Sequence, residues 1–211
     1  MRSLVEKWNK FLNEEEGVTL PFHVYCDMDG VLVDLPRGIA DQARLDLEKK
    51  PRLRDDIMII IGQKEEWKKF VKTRPEFKKG FDMIDNIISD REDFWANLPP
   101  MEGMTDLWSY ISQFNPSILS SPWDQASANG KERWIANNLG FSAEEMETKV
   151  NLTDNKHLLA VQDNKQPNVL IDDMDKYLGP WREAGGIGIQ HTSASSTIAQ
   201  LEALVDSYKG T

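Results

Sequence analysis

Residues 23–34 read HVYCDMDGVLVD, and the fold turns on this stretch. His23 to Met28 is short, β-prone and bounded by Pro21 and Gly30, which predicts a buried strand. Asp27 and Asp29 stand at i and i+2, so an extended chain sends both carboxylates to one side. Gly30 permits a sharp turn and close backbone approach directly after them. Asp-x-Asp-Gly also opens calcium loops, but such a loop continues with regular acidic ligands and a closing Glu. Val31-Leu32-Val33 follow instead.

Further along, strand and helix patterns alternate. A helix near 103–113 precedes a strand at 116–120 (PSILS), and a helix near 129–139 precedes a strand at 149–153 (KVNLT). A short helix near 156–162 leads to a strand at 168–172 (NVLID), and a helix near 175–184 to a strand at 186–190 (GIGIQ). Ile198, Leu201, Leu204, Val205 and Tyr208 form the stripe of a last helix. This alternation predicts an α/β fold with a parallel, doubly wound sheet flanked by helices. Residues 36–98 break the rhythm. They are rich in Lys, Glu, Asp and Ile and read as several helices interrupted near Pro51, Gly62, Pro75 and Gly80. The run Ile57 to Ile61 (IMIII) fits a strand or a buried helix equally. The expected organisation is therefore a core of residues 1–35 and 99–211, with a helical cap, 36–98, inserted after the first strand. Leu4, Val5, Trp8, Phe11 and Leu12 share one face of a predicted opening helix.

Composition narrows the function. The chain has 211 residues, 40% hydrophobic and 28% charged, with a net charge of -10. Such acidity argues against generic nucleic-acid binding, which depends on neutralising phosphates. Residues 35–100 hold 14 basic and 13 acidic side chains, so the whole deficit lies elsewhere. No apolar run approaches the length of a membrane span, and the first 17 residues lack the apolar centre of a signal peptide. A single cysteine, Cys26, excludes an internal disulfide framework. A cytoplasmic protein with no membrane association is expected.

In doubly wound sheets ligands bind outside the carboxyl ends of the strands. Those ends carry Asp27 and Asp29, then Ser120-Ser121-Pro122, then Thr153-Asp154-Asn155-Lys156, then Asp172-Asp173. Each group alone is ordinary: Asp-Asp makes caps and turns, and a lone lysine is usually at the surface. Their joint placement is not. Clustered carboxylates need compensation, and Mg2+ suits a site with few protein ligands plus phosphate and water. A cation, a lysine and a hydroxyl around one carboxylate suit phosphoryl transfer, with a free carboxylate as nucleophile. His23, His157 and His191 show no metal-ligand spacing, and Cys26 reads as a packed thiol.

DMDGVLVD, ILSS (Ile118 to Ser121), Lys156 and LIDD (Leu170 to Asp173) resemble, in order, the four motifs of the haloacid dehalogenase-like phosphohydrolases. The resemblance implies a Rossmann-like core with a helical cap. It makes Asp27 the nucleophile, Asp29 the general acid and base with its backbone carbonyl on Mg2+, and Ser120 a phosphate ligand. Lys156 would orient Asp27, and Asp172 and Asp173 would hold the metal, with Asp173 the expected direct ligand. Together with FWANLPPMEG (Phe94 to Gly103), LSSP and LTDNK, the set is similar to the 5'(3')-deoxyribonucleotidases, which dephosphorylate deoxynucleoside monophosphates. That likeness adds Ser121 and Lys131 on the phosphate side and Phe94 or Trp95 near the base, and it is compatible with a homodimer. The chain departs from the pattern at Leu35, where that subfamily has an aromatic base-stacker, and at Trp123-Asp124, where better-known members carry a lysine. Trp67 is a candidate replacement aromatic. A phosphatase for a sugar phosphate or another small ester, a polynucleotide 3'-phosphatase and a catalytically silent binding module are the alternatives.

Overall fold

In the computed structural model, residues 20–46, 48–49, 52–62 and 67–209 are described. The predicted opening helix lies outside them. Five short strands form one sheet: β1 (Val24–Cys26), β2 (Ser117–Ser120), β3 (Val150–Leu152), β4 (Val169–Asp172) and β5 (Ile187–Gln190). Their order is β3-β2-β1-β4-β5. β1 runs parallel to β2 and β4, and β4 runs parallel to β5. This is the doubly wound order, and the α/β class with a parallel sheet flanked by helices is as expected. β2 and β4 are buried at every position, because helices cover both faces of such a sheet.

The chain divides into two compact units, one of residues 1–32, 102–119 and 155–211, the other of residues 33–101 and 120–154. In the first, Leu119, Ala160, Leu170, Leu178 and Trp181 make one buried cluster. Trp181 sits on α9 (Asp175–Glu183), donates its indole N–H to Asn168 O and meets Tyr25 edge-on at 5.8 Å. Full burial of one such side chain contributes about 3 kcal/mol. On the other side α6 (Met104–Ile111) packs against α10 (Ala194–Lys209) through Leu107, Ile111, Leu201 and Val205, all fully or almost fully buried.

The second unit is helical apart from its strand residues. α1 (Leu35–Gln42) starts at Asp34, whose carboxylate accepts from Arg37 N and pairs with Arg54 on α2 (Arg52–Gly62). The ambiguous IMIII run is therefore helical, with Ile57 and Ile60 buried one turn apart. After α3 (Trp67–Thr73) and a 3-10 turn at Pro75–Phe77 comes α4 (Lys78–Ile88), which buries Phe81, Ile84 and Ile88. Gly80 does not break it: a Cβ there would lie 3.3 Å from Ile60 Cδ1, so the glycine lets two helices approach.

α5 (Glu92–Ala96) packs on α7 (Gln125–Leu139). At their crossing a Cβ on Gly130 would fall 2.5 Å from both Glu92 O and Trp95 Cβ. Three indoles tie this unit together: Trp95 donates to Ile88 O, Trp134 to Leu98 O and Trp123 to Ser89 Oγ. α7 begins four residues before its predicted start, because Asp124 and Ser127 cap each other's backbone N–H. α8 (Ala143–Lys149) went unpredicted, although Ser142 and Glu145 form the same reciprocal cap. The helix predicted over 156–162 is a 3-10 turn at Lys156–Leu159. No helix among the described residues is long and apolar enough to cross a membrane.

Candidate active site

Asp27 follows the last residue of β1, and its N–H continues the ladder to Ile171 O at 2.9 Å. Asp172 ends β4, the neighbouring parallel strand. The two carboxylates thus emerge side by side from the sheet. Lys156 reaches both from its 3-10 turn. Its Nζ lies 3.0 Å from Asp27 Oδ1 and donates to Asp172 Oδ2 at 2.7 Å. Lys156 is 1% exposed, Asp172 0% and Asp27 4%, so the set is dry. The second oxygen of Asp172 accepts from Met174 N at 2.9 Å.

Asp173 completes the group. One carboxylate oxygen each from Asp27, Asp172 and Asp173 lie within 4.8 Å of one another. Asp173 packs where Gly30 has no side chain: a Cβ on Gly30 would come 2.3 Å from Asp173 Oδ2. Gly30 also holds φ at +78°, inside the turn in which Val31 and Leu32 N donate to Met28 O. Both demands exclude other residues. β1 stops at Cys26, so Asp27 and Asp29 do not alternate along a strand as expected; Asp29 belongs to that turn.

Electrostatics follow from geometry. Burial, reinforced by Asp27, pushes the Asp172 carboxyl up to about 7, with Lys156 pulling the other way. Burial and the charges of Asp27, Asp172 and Asp29 push Asp173 up to about 8. Burial would lower the Lys156 ammonium, but Asp27 and Asp172 outweigh it and raise it above its ordinary value. Three carboxylates therefore face one ammonium, and Asp173 Oδ1 is buried with no hydrogen-bond partner among the described residues. That orphaned oxygen and the all-oxygen donor set fit a hard divalent cation. The three oxygens lie close enough together that one such cation would be held by all of them.

The other predicted residues lie in the second unit. Ser120 ends β2, and its Oγ accepts from Lys131 Nζ at 2.9 Å, both residues fully buried. Lys131 Nζ also stands 5.2 Å over the Trp95 ring. Ser121 donates to Thr153 O at 3.0 Å. Phe94 and Trp95 meet edge-on and are 6% and 2% exposed. Leu35 is buried at the head of α1. Asp124 gives its carboxylate to Ser127 N and Asp90 N, so its charge serves two backbone donors. A pocket of about 280 Å³ opens beside Gly38, Phe94 and Leu98.

Cys26 is buried, and burial with the Asp27 charge raises its thiol well above the usual range. Sequence reasoning passed over Tyr177, whose ring centre is 4.2 Å from Lys156 Nζ. A single aromatic five residues after Asp172 carries no motif that would have marked it.

No family model matches the chain, and no curated protein matches it in sequence. Solved structures do resemble it. A hydrolase from Streptococcus pneumoniae TIGR4 aligns with 89% of this chain and 100% of its own, at 14% identity and a TM-score of 0.48. The L-2-haloacid dehalogenase from Xanthobacter autotrophicus aligns with 80% of this chain and 76% of its own, at 12% identity and a TM-score of 0.47.

Proposed function

We propose that this chain is a haloacid dehalogenase-type phosphomonoesterase that depends on Mg2+, works through an aspartyl-phosphate on Asp27, and acts on deoxynucleoside monophosphates. The observation that carries the reading is the buried Asp27–Lys156–Asp172 set at the carboxyl ends of β1 and β4, with Asp173 beside it. A structural ion pair would balance its charges. This one carries an excess of carboxylate, which suits a cation and an anionic ester arriving together.

In this mechanism an Asp27 carboxylate oxygen attacks phosphorus. The bond from phosphorus to the ester oxygen breaks, and the departing alkoxide takes a proton from Asp29. Water then attacks the phosphorus of the Asp27 acyl phosphate and gives a proton to Asp29, and the bond from phosphorus to the Asp27 oxygen breaks. Inorganic phosphate leaves and the Asp27 carboxylate is restored. Lys156 holds Asp27 in one orientation and offsets charge throughout. Mg2+, held by Asp27, Asp172, Asp173 and the Asp29 carbonyl, would supply charge neutralisation at the phosphate oxygens. Ser120, Ser121 and Lys131 are assigned to the phosphate. An ammonium only donates, so Ser120 Oγ accepts from Lys131 and keeps its own hydrogen for a phosphate oxygen. Phe94 and Trp95 are assigned to the nucleoside, and residues 36–98 to a cap over a core of 1–35 and 99–211.

One observation favours a smaller ester such as a sugar phosphate: Trp95 is enclosed, with Lys131 over its ring. Phosphate release from dUMP, dTMP, dGMP, AMP, a 3'-deoxynucleotide, sugar phosphates and a 3'-phosphorylated oligonucleotide, with Mg2+ or EDTA, separates the readings. Turnover of deoxynucleotides that Asp27→Asn abolishes is expected. Turnover of sugar phosphates alone keeps the chemistry and discards the substrate. Turnover unaffected by EDTA and by Asp27→Asn refutes the mechanism.

A further inference from the structure

Lys156 is an ammonium with three N–H donors and 1% exposure, so no solvent shell satisfies it. Asp172 Oδ2 accepts one of them at 2.7 Å, and Asp27 Oδ1 pairs with the charge at 3.0 Å. The third neighbour is the face of Tyr177, with the ring centre 4.2 Å from Nζ, well inside the range in which a ring quadrupole attracts a cation. Tyr177 stands in the first turn of α9, and its N–H donates to Met174 O. Met174 N in turn donates to Asp172 Oδ1. One tight segment, residues 172–177, therefore supplies the carboxylate that pairs with Lys156, the backbone donor that orients this carboxylate, and the ring that covers the ammonium. Tyr177 also packs against the buried cluster around Trp181, and the Lys176 ammonium stands 4.5 Å from the same ring centre.

We infer that Tyr177 is a positioning residue: its ring holds the Lys156 ammonium between Asp27 and Asp172, and through Lys156 it sets the orientation of Asp27. The inference rests on the proposed function for its kinetic consequence but not for the contact itself. The interaction uses the ring face, so phenylalanine keeps it. Leucine fills similar apolar volume without a quadrupole. With a leucine there, Lys156 keeps its carboxylates but loses its third neighbour and samples more orientations.

The test compares Tyr177→Phe and Tyr177→Leu in the full chain, with folding checked by circular dichroism. The first readout is the NMR signal of the Lys156 ammonium in metal-free protein, assigned by its absence in Lys156→Met. In wild type and Tyr177→Phe it should be shifted upfield by the ring and exchange slowly with water. In Tyr177→Leu the shift should vanish and exchange should quicken. The second readout is Mg2+-dependent phosphate release. Here Tyr177→Leu should lower kcat about tenfold with KM within about twofold, while Tyr177→Phe retains wild-type values. A Lys156 signal unchanged in Tyr177→Leu overturns the inference, as do equal kcat losses in both variants. If wild type hydrolyses no phosphate ester, the proposed function fails, and the ammonium signal alone still decides whether Tyr177 holds Lys156.

Discussion

Replacing Asp173 by Asn should stabilise the metal-free protein at neutral pH while removing its response to Mg2+. The Asp173 carboxyl is pushed from 3.8 up to about 8, first by burial and then by Asp27, Asp172 and Asp29. Between these values the folded chain holds a proton that the unfolded chain has released. The stability this proton carries is complete below pH 4 and is lost as pH rises toward 8. Each pH unit between 5 and 7 costs about 1.4 kcal/mol, and the accumulated cost at pH 7 is about 4 kcal/mol. Asparagine has the shape of aspartate and never ionises, so it avoids that cost. Its amide hydrogens need acceptors, which leaves a net gain of about 2–4 kcal/mol at pH 7. Urea unfolding in EDTA at pH 5, 6, 7 and 8 measures this directly. The wild-type midpoint should fall with pH and the Asp173→Asn midpoint should fall less. Mg2+ should then raise the wild-type midpoint more at pH 8 than at pH 6, since binding displaces the proton. A wild-type midpoint that rises between pH 5 and 7 in EDTA, or an Asn variant less stable than wild type at pH 7, would refute the reasoning.

Lys156→Met should cost about 3–5 kcal/mol in urea unfolding, because Asp27 and Asp172 then share a dry site without a cation. Gly30→Ala should cost about 1–3 kcal/mol and weaken Mg2+ binding in calorimetry, since the new Cβ displaces the Asp173 carboxylate and strains a φ of +78°. Gly130→Ala should lower stability by about 1–3 kcal/mol through the α5–α7 crossing alone, with Mg2+ binding to the Asp27 cluster unchanged.

Strands were the most legible part of the sequence. All five expected strands fall within two residues of their observed limits; β2 and β4 are the fully buried runs such sheets favour, while β3 and β5 are marked by the strand–helix alternation instead. Helix limits were harder, because caps and close approaches act through side chains that periodicity does not register. Gly80 reads as a breaker until Ile60 is seen against it, and α7 starts early because Asp124 and Ser127 bond reciprocally. At the site, Asp27, Asp172 and Lys156 announce themselves as charged groups at strand ends. Their burial, the orphaned Asp173 oxygen and the ring of Tyr177 do not, since each depends on residues brought together from distant parts of the chain.

β1 lies at the middle of the sheet, and its partners come from far along the chain: Tyr25 pairs with Ser117 on one side and Leu170 on the other. During synthesis this strand leaves the ribosome with both edges bare and stays so until most of the polypeptide has followed. Such long-range pairing is slow and leaves an apolar edge open to other chains. The nascent protein is therefore expected to need shielding by chaperones. The Asp27–Lys156–Asp172 set assembles only after β4 has emerged, so no truncated product ending before Asp172 carries it.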